Sequence, residues 1–113
     1  DMRVLLESAD PRAEQAVELF CERAAREIAS LATALGGLDA VVFTAGIGEH
    51  APAIRERICA KLRWLGLELD PAANAVSGPR TSMAQSRIAV WVIPTDEEGV
   101  IATHTLVATA SRR

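Results

Sequence analysis

The sequence has no excess of positive charge: 12 Lys and Arg stand against 15 Asp and Glu, giving a formal charge of −3 and a pI near 5.3. With no basic stripe to release counterions, nucleic acid is excluded as the expected partner. No apolar run approaches the roughly 18 residues that a membrane span requires, so no membrane association is expected. Cysteine is scarce. Cys21 and Cys59 fall on or near the apolar faces of helical patterns, where buried free thiols are expected rather than a disulfide, a metal pair or a nucleophile. Without a signal peptide, such thiols suit a reducing cytoplasm. His50 and His104 are isolated and make neither a metal site nor a case for a general base. No Ser/His/Asp or Cys/His constellation can be assembled from so few candidates.

What is present is an ordinary globular mixture, half hydrophobic and about a quarter charged, of a size that fits one small domain. The chain opens with Asp1, and Met2 runs directly into a helix-like pattern, so it is read as a piece of a longer polypeptide. Residues 1–8 predict a short helix. Asp10-Pro11 then gives an N-cap followed by proline at the first helical position. From there Ala13, Val17, Phe20, Ala24, Ile28, Leu31 and Leu35 recur at steps of three and four, predicting a helix of about seven turns that Gly36-Gly37 ends. The continuous apolar run over 38–44, broken only by Asp39, predicts a buried strand central in a sheet. Pro52 opens a further helix carrying Ile54, Ile58, Leu62 and Leu65, closed by Gly66. On it Arg55, Arg57, Lys61 and Arg63 are read, with Glu56, as a solvated face.

Farther along, 67–69 predicts a short strand, Asp70-Pro71 a helical turn, and 77–87 a loop or hairpin edge. The run IAVWVI at 88–93 predicts a second buried strand stopped by Pro94. Thr95 and Glu98 form a capping box, which predicts a last helix from Asp96 to about Ala110. Long helices alternating with buried strands indicate an α/β layered domain. The two strands are expected to pair in parallel, so their carboxyl ends, and with them Gly46-Gly48 and Thr95–Glu98, should meet at one edge. Ligands of open α/β sheets bind at that edge.

The chemistry-bearing stretch is VVFTAGIGEH at 41–50, an apolar run that ends in two glycines spaced by one residue. Glycine there permits φ > 0 and lets a ligand approach the backbone, and a helix start beyond it presents N–H groups, an arrangement that suits phosphate. The pattern lacks the further glycine of a dinucleotide fingerprint and the Gly-Lys-Ser/Thr of a P-loop, so a plain strand-to-helix turn stays open as the alternative. Glu97 and Glu98 fall in a first helical turn, where the helix dipole favours acids whatever the function, and this is the leading reading; the alternative is that one of them holds Mg²⁺ beside a phosphate.

These residues resemble the acetate kinase family. LDAVVFTAGIGE at 38–49 is similar to the family's motif around its nucleotide loop, followed by IRERIC at 54–59 and LGLELD at 65–70. VIPTDEE at 92–98 is similar to its closing strand and helix start, and Asp1-Met2-Arg3 to the Asp-x-Arg that opens its C-terminal region. The resemblance spans essentially the whole chain, 1–113. It implies the ribonuclease-H-like fold of acetate and sugar kinases, Hsp70 and actin, here an incomplete C-terminal nucleotide-binding domain. The implied reaction is reversible phosphoryl transfer between ATP and acetate giving ADP and acetyl phosphate. Asp1, Met2 and Arg3 would contact the nucleotide, Gly46, Ile47, Gly48, Glu49 and His50 would wrap it, and Glu97 would be the Mg²⁺ carboxylate.

Two positions depart from the family: His50 stands in place of its asparagine and Gly99 in place of a leucine. The acetate pocket and the transition-state arginines, with a histidine, an asparagine and an aspartate, belong to segments outside this chain. No catalytic residue is therefore expected here, and the isolated chain is expected to be inactive. The resemblance also implies a missing N-terminal domain and a homodimer through the C-terminal domains. A propionate or butyrate kinase relative and a non-catalytic nucleotide-binding module are the alternatives.

Overall fold

Asp10 sets the first long element. Its carboxylate accepts a hydrogen bond from the Arg12 backbone N–H at 2.9 Å, and Pro11 occupies the first helical turn. In the computed structural model, which describes residues 2–94 and 105–109 without the side chains of Ile47 and 105–109, helix α2 runs over Pro11–Leu35. It ends where Gly36 takes the left-handed conformation at φ 79° and its N–H returns to the carbonyls of Ala32 and Thr33, the expected C-terminal stop. A short helix α1, Met2–Glu7, precedes it and packs on it.

The buried stripe of α2 is Ala13, Val17, Cys21, Ala25, Ile28 and Ala32. The expected face is rotated slightly: Phe20 and Ala24 flank the stripe, half-buried, and Leu35 is exposed.

Strand β1 is Ala40–Thr44, followed by α3, Gly46–His50, and α4, Pro52–Ala60. A single 3₁₀ turn over Arg63–Leu65 ends in Gly66, and α5 is Pro71–Ala75. Strand β2 is Ala89–Val92 and β3 is Thr105–Thr109. The sheet order is β2-β1-β3, so β1 is central as expected. Val41 faces Val90 and Phe43 faces Val92 in a parallel register, which matches the expected pairing. Phe43, Ile28, Ile54, Ile58, Leu62, Leu67, Val41 and Val90 are all fully buried between sheet and helices. Each such apolar side chain contributes about 1.5–3 kcal/mol on removal from water. Cys21 and Cys59 are free and buried, and burial pushes the Cys59 thiol up to about 12.

Four expectations change. The glycine turn is itself helical, as α3, before Pro52 restarts the chain. The helix expected to reach Gly66 stops at Ala60, and Arg63–Leu65 continues only as a 3₁₀ turn. The short strand at 67–69 reduces to single bridges, Leu67 to Ile88 and Leu69 to Ser82. The last helix does not extend over 105–109. Those residues pair antiparallel with β1, from Thr105 opposite Thr44 to Thr109 opposite Ala40. Thr105, Val107 and Thr109 are β-branched and alternate, which suits a pleated strand better than a helix, and β1 would otherwise keep an unpaired edge. The capping box at Thr95 and Glu98 lies outside the described residues.

The outer side of β2 is closed by the 79–82 run. Thr81 N–H donates to Val90 O at 2.9 Å, Val92 N–H donates to Pro79 O at 2.7 Å, and Arg80 bridges Trp91.

Candidate functional site

The carboxyl end of β1 turns through two successive left-handed residues, Ala45 at φ 58° and Gly46 at φ 40°. For alanine this conformation costs about 1–2 kcal/mol, which buried packing around it must offset. Ala45 is buried and Gly46 is exposed. The elbow throws the chain directly into α3, where the Glu49 N–H donates back to Ala45 O at 3.1 Å. Beside it, Ile93 N–H donates to Phe43 O at 3.0 Å, so the chain leaving β2 reaches Pro94 at the same edge of the sheet.

Of the two glycines, which both permit φ > 0, only Gly46 takes it. Gly48 lies within α3, buried, and a Cβ built there would meet the Cβ and backbone of Phe43 at 3.6–3.7 Å. The missing side chain at Gly48 therefore faces strand β1 and not solvent. Glu49 is half-buried, and its carboxylate lies 3.2 Å from Nε2 of the exposed His50. Of the remaining predicted residues, Ile47 is in α3, while Met2 is half-buried against the core and Arg3 is exposed, both on α1. The structure thus brings 46–50 together in one short element and carries Met2 and Arg3 on another, packed on α2. Asp1 and Glu97 lie outside the described residues. Among the described residues no group of three or more His, Cys, Asp or Glu is arranged to hold a metal ion.

The charge pattern places Arg55 on a solvated face, and the structure reverses this. Its side chain is 0% exposed. Nε donates to Asn74 Oδ1 at 2.8 Å, Nη1 to the carbonyls of Gly48 at 3.0 Å and Glu49 at 2.9 Å, and Nη2 to Asn74 O at 2.8 Å and Ser77 Oγ at 3.0 Å. A guanidinium has five N–H donors, and here each meets a neutral acceptor. Burial pushes the Arg55 pKa down from its ordinary value. Asn74, itself buried, also donates from Nδ2 to Pro52 O at 2.9 Å, tying α5 to the start of α4. The usable signal in the sequence was position: Arg55 stands four residues from both Ala51 and Cys59, and both are buried.

Arg57 and Lys61 lie on the opposite margin of α4 and reach α2. Arg57 grips Glu14 with both terminal nitrogens at 2.6 and 2.8 Å; Lys61 pairs with Glu18 and, at 3.1 Å, with Glu22. Both are half-buried in this seam, so of the residues expected on a solvated face only Glu56 and Arg63 are exposed.

A cleft of about 630 Å³ opens between α4 and the 83–87 loop, lined among others by Cys59, Trp64, Met83 and Arg87. It does not include the elbow residues, and a thiol held up near 12 is no nucleophile.

The pattern of the Acetokinase family matches residues 1–103. The chain belongs to the acetokinase family. An acetate kinase of Rhodopseudomonas palustris (strain TIE-1) is 59% identical over 106 residues, covering 92% of this chain and 27% of that protein. One from Rhizobium meliloti is 57% identical, covering 94% and 27% respectively. Among solved structures, a propionate kinase from Francisella tularensis subsp. tularensis SCHU S4 superposes with a TM-score of 0.80 at 39% identity, over 87% of this chain and 26% of that one. The acetate kinase from Entamoeba histolytica gives 0.80 at 34% identity, over 87% and 28%. The α/β fold expected from the sequence is thus the fold of these acetokinases, of which this chain spans about a quarter of the length. Among the described residues, no helix is long and apolar enough to cross a membrane.

Proposed function

We propose that residues 1–113 are the C-terminal, nucleotide-binding part of an acetate kinase, which transfers a phosphoryl group reversibly between ATP and acetate to give ADP and acetyl phosphate. The observation that carries this reading is the acetokinase match over 1–103, with the left-handed elbow at 45–46 opening at the carboxyl edge of a parallel strand pair. Phosphoryl transfer depends on positioning and charge neutralisation more than on covalent chemistry. In this reading Gly46, Ile47, Gly48, Glu49 and His50 wrap the nucleotide from the end of β1, and Asp1, Met2 and Arg3 contact it from the start of the chain. Glu97 holds Mg²⁺, which supplies charge neutralisation on the phosphates. The acyl-binding half lies in the part of the enzyme that this chain does not span.

Titrating the chain with ATP and Mg²⁺ tests the reading. Saturable binding that Glu97→Ala weakens about tenfold, and only with metal present, supports it; affinity unchanged by that substitution removes Glu97 from the site. Saturable binding without turnover once the preceding part of the reading frame is restored would instead favour the non-catalytic module, to which the His50 departure points.

A propionate kinase is the second reading, favoured by the resemblance to the Francisella structure. Assaying the complete polypeptide encoded by the parent reading frame with acetate, propionate and butyrate separates the two. A strong preference for a longer acid overturns the acetate assignment.

A further inference from the structure

Two short helices end on one buried cation. The carbonyls of Gly48 and Glu49 belong to the last turn of α3, and that of Asn74 to the last turn of α5. Last-turn carbonyls have no partner within their own helix and must find one elsewhere. Arg55 supplies it to Gly48 O and Glu49 O, and at α5 it adds to the Ser77 N–H that reaches Asn74 O at 3.0 Å, with Ser77 Oγ and the Asn74 amide completing the set. A planar fork with five fixed donors can do this; an ammonium has three donors and no fixed plane. The cation lies on α4, whose Ile54 and Ile58 are locked in the core, so the fork has little freedom to move.

We propose that Arg55 is the positioning residue of the 46–50 segment, clamping α3 to α5 so that the elbow at Ala45 and Gly46 is held ready for a phosphate-bearing ligand. It touches no ligand itself. The ligand half of this inference rests on the nucleotide reading above; the clamp half does not. Holding a loop in its bound form removes an ordering cost that binding would otherwise bear. Loss of the clamp therefore appears first as faster opening of 46–51 and second as weaker nucleotide binding.

The test compares the unsubstituted chain with Arg55→Met, which removes the donors, and Arg55→Lys, which keeps the charge and loses the fork. Amide hydrogen exchange over 46–51 is read beside that of β1 and α2, and MgATP affinity is read by calorimetry at a temperature where circular dichroism shows each chain folded. The expected result is exchange over 46–51 faster by about tenfold or more with β1 and α2 unmoved. Affinity per folded molecule falls by about tenfold, and lysine fails to restore either quantity. Should Arg55→Met not fold, Arg55→Lys and Ser77→Ala carry the same comparison. Exchange over 46–51 that tracks β1 and α2, or that lysine fully restores, overturns the clamp. Wild-type MgATP affinity in a variant whose 46–51 segment has opened overturns the ligand half, that the clamp holds the elbow ready for a phosphate-bearing ligand. If the unsubstituted chain shows no saturable MgATP binding, the nucleotide reading fails, and the exchange comparison still decides the clamp.

Discussion

Arg55 and Arg57 stand two residues apart on the same helix and meet opposite fates. Arg57 reaches outward to a carboxylate, Glu14, through water-exposed contacts, and with Lys61 forms a loose seam of charges between α4 and α2. Arg55 points inward, is wholly buried, and meets carbonyl, amide and hydroxyl oxygens only. A surface pair gains little, because water screens it and ordering two long side chains costs entropy. A buried guanidinium is different: its desolvation has already been incurred, so each hydrogen bond it makes is costly to lose. The seam joins two helices that the core already holds, whereas the buried fork joins two short helices that lack a sizeable core of their own.

The comparison breaks most visibly at Arg55. Arg55→Met leaves the carbonyls of Gly48 and Glu49 without this donor, while Asn74 O keeps the Ser77 N–H at 3.0 Å, and a loss on the order of 3 kcal/mol or more in urea unfolding is expected. Next comes Asn74→Ala, which removes the acceptor of Nε and the donor to Pro52 O while keeping the cation; about 2 kcal/mol by the same measurement is expected. Asp70→Ala tests whether α5 must be well formed to serve as an anchor. Its carboxylate accepts from the N–H groups of Ala72 and Ala73, and losing this cap should cost about 1 kcal/mol.

The smallest effect belongs to the outer seam. Arg57 holds the Glu14 carboxyl below the ordinary glutamate value of 4.5, and Arg26 and Lys61 do the same for Glu22. A depressed carboxyl contributes stability above its unfolded pKa and loses it as pH falls through the folded one. The thermal midpoint should therefore hold above about pH 4.5 and decline below it. Glu14→Gln should flatten part of that decline, and salt should mimic the substitution at neutral pH without reaching Arg55.

Much of the frame was legible because local signals and packing agree there. Asp10-Pro11 and Gly36 bound α2 as written, and the two apolar runs pair in parallel with β1 central. Where a short-range signal and a tertiary demand differed, the sequence misled. Arg55 looked solvated because charge suggests water, yet the ends of α3 and α5 converge on its side of α4. Residues 105–109 followed a capping box, but β-branched alternation and an open edge of β1 made them a strand. At the site, the motif gave the place of the elbow but not its geometry: the left-handed pair is Ala45 and Gly46, and Gly48 serves the contact with Phe43.

The 79–82 run along β2 has one more consequence. A strand with a bare flank offers a ready template to any other extended chain, including copies of itself during synthesis or heating. Here that flank is already taken up by the 79–82 run, which carries Pro79. Among the described residues, the flank of β2 along Trp91 is therefore occupied and gives the stacking of one molecule on the next no foothold there.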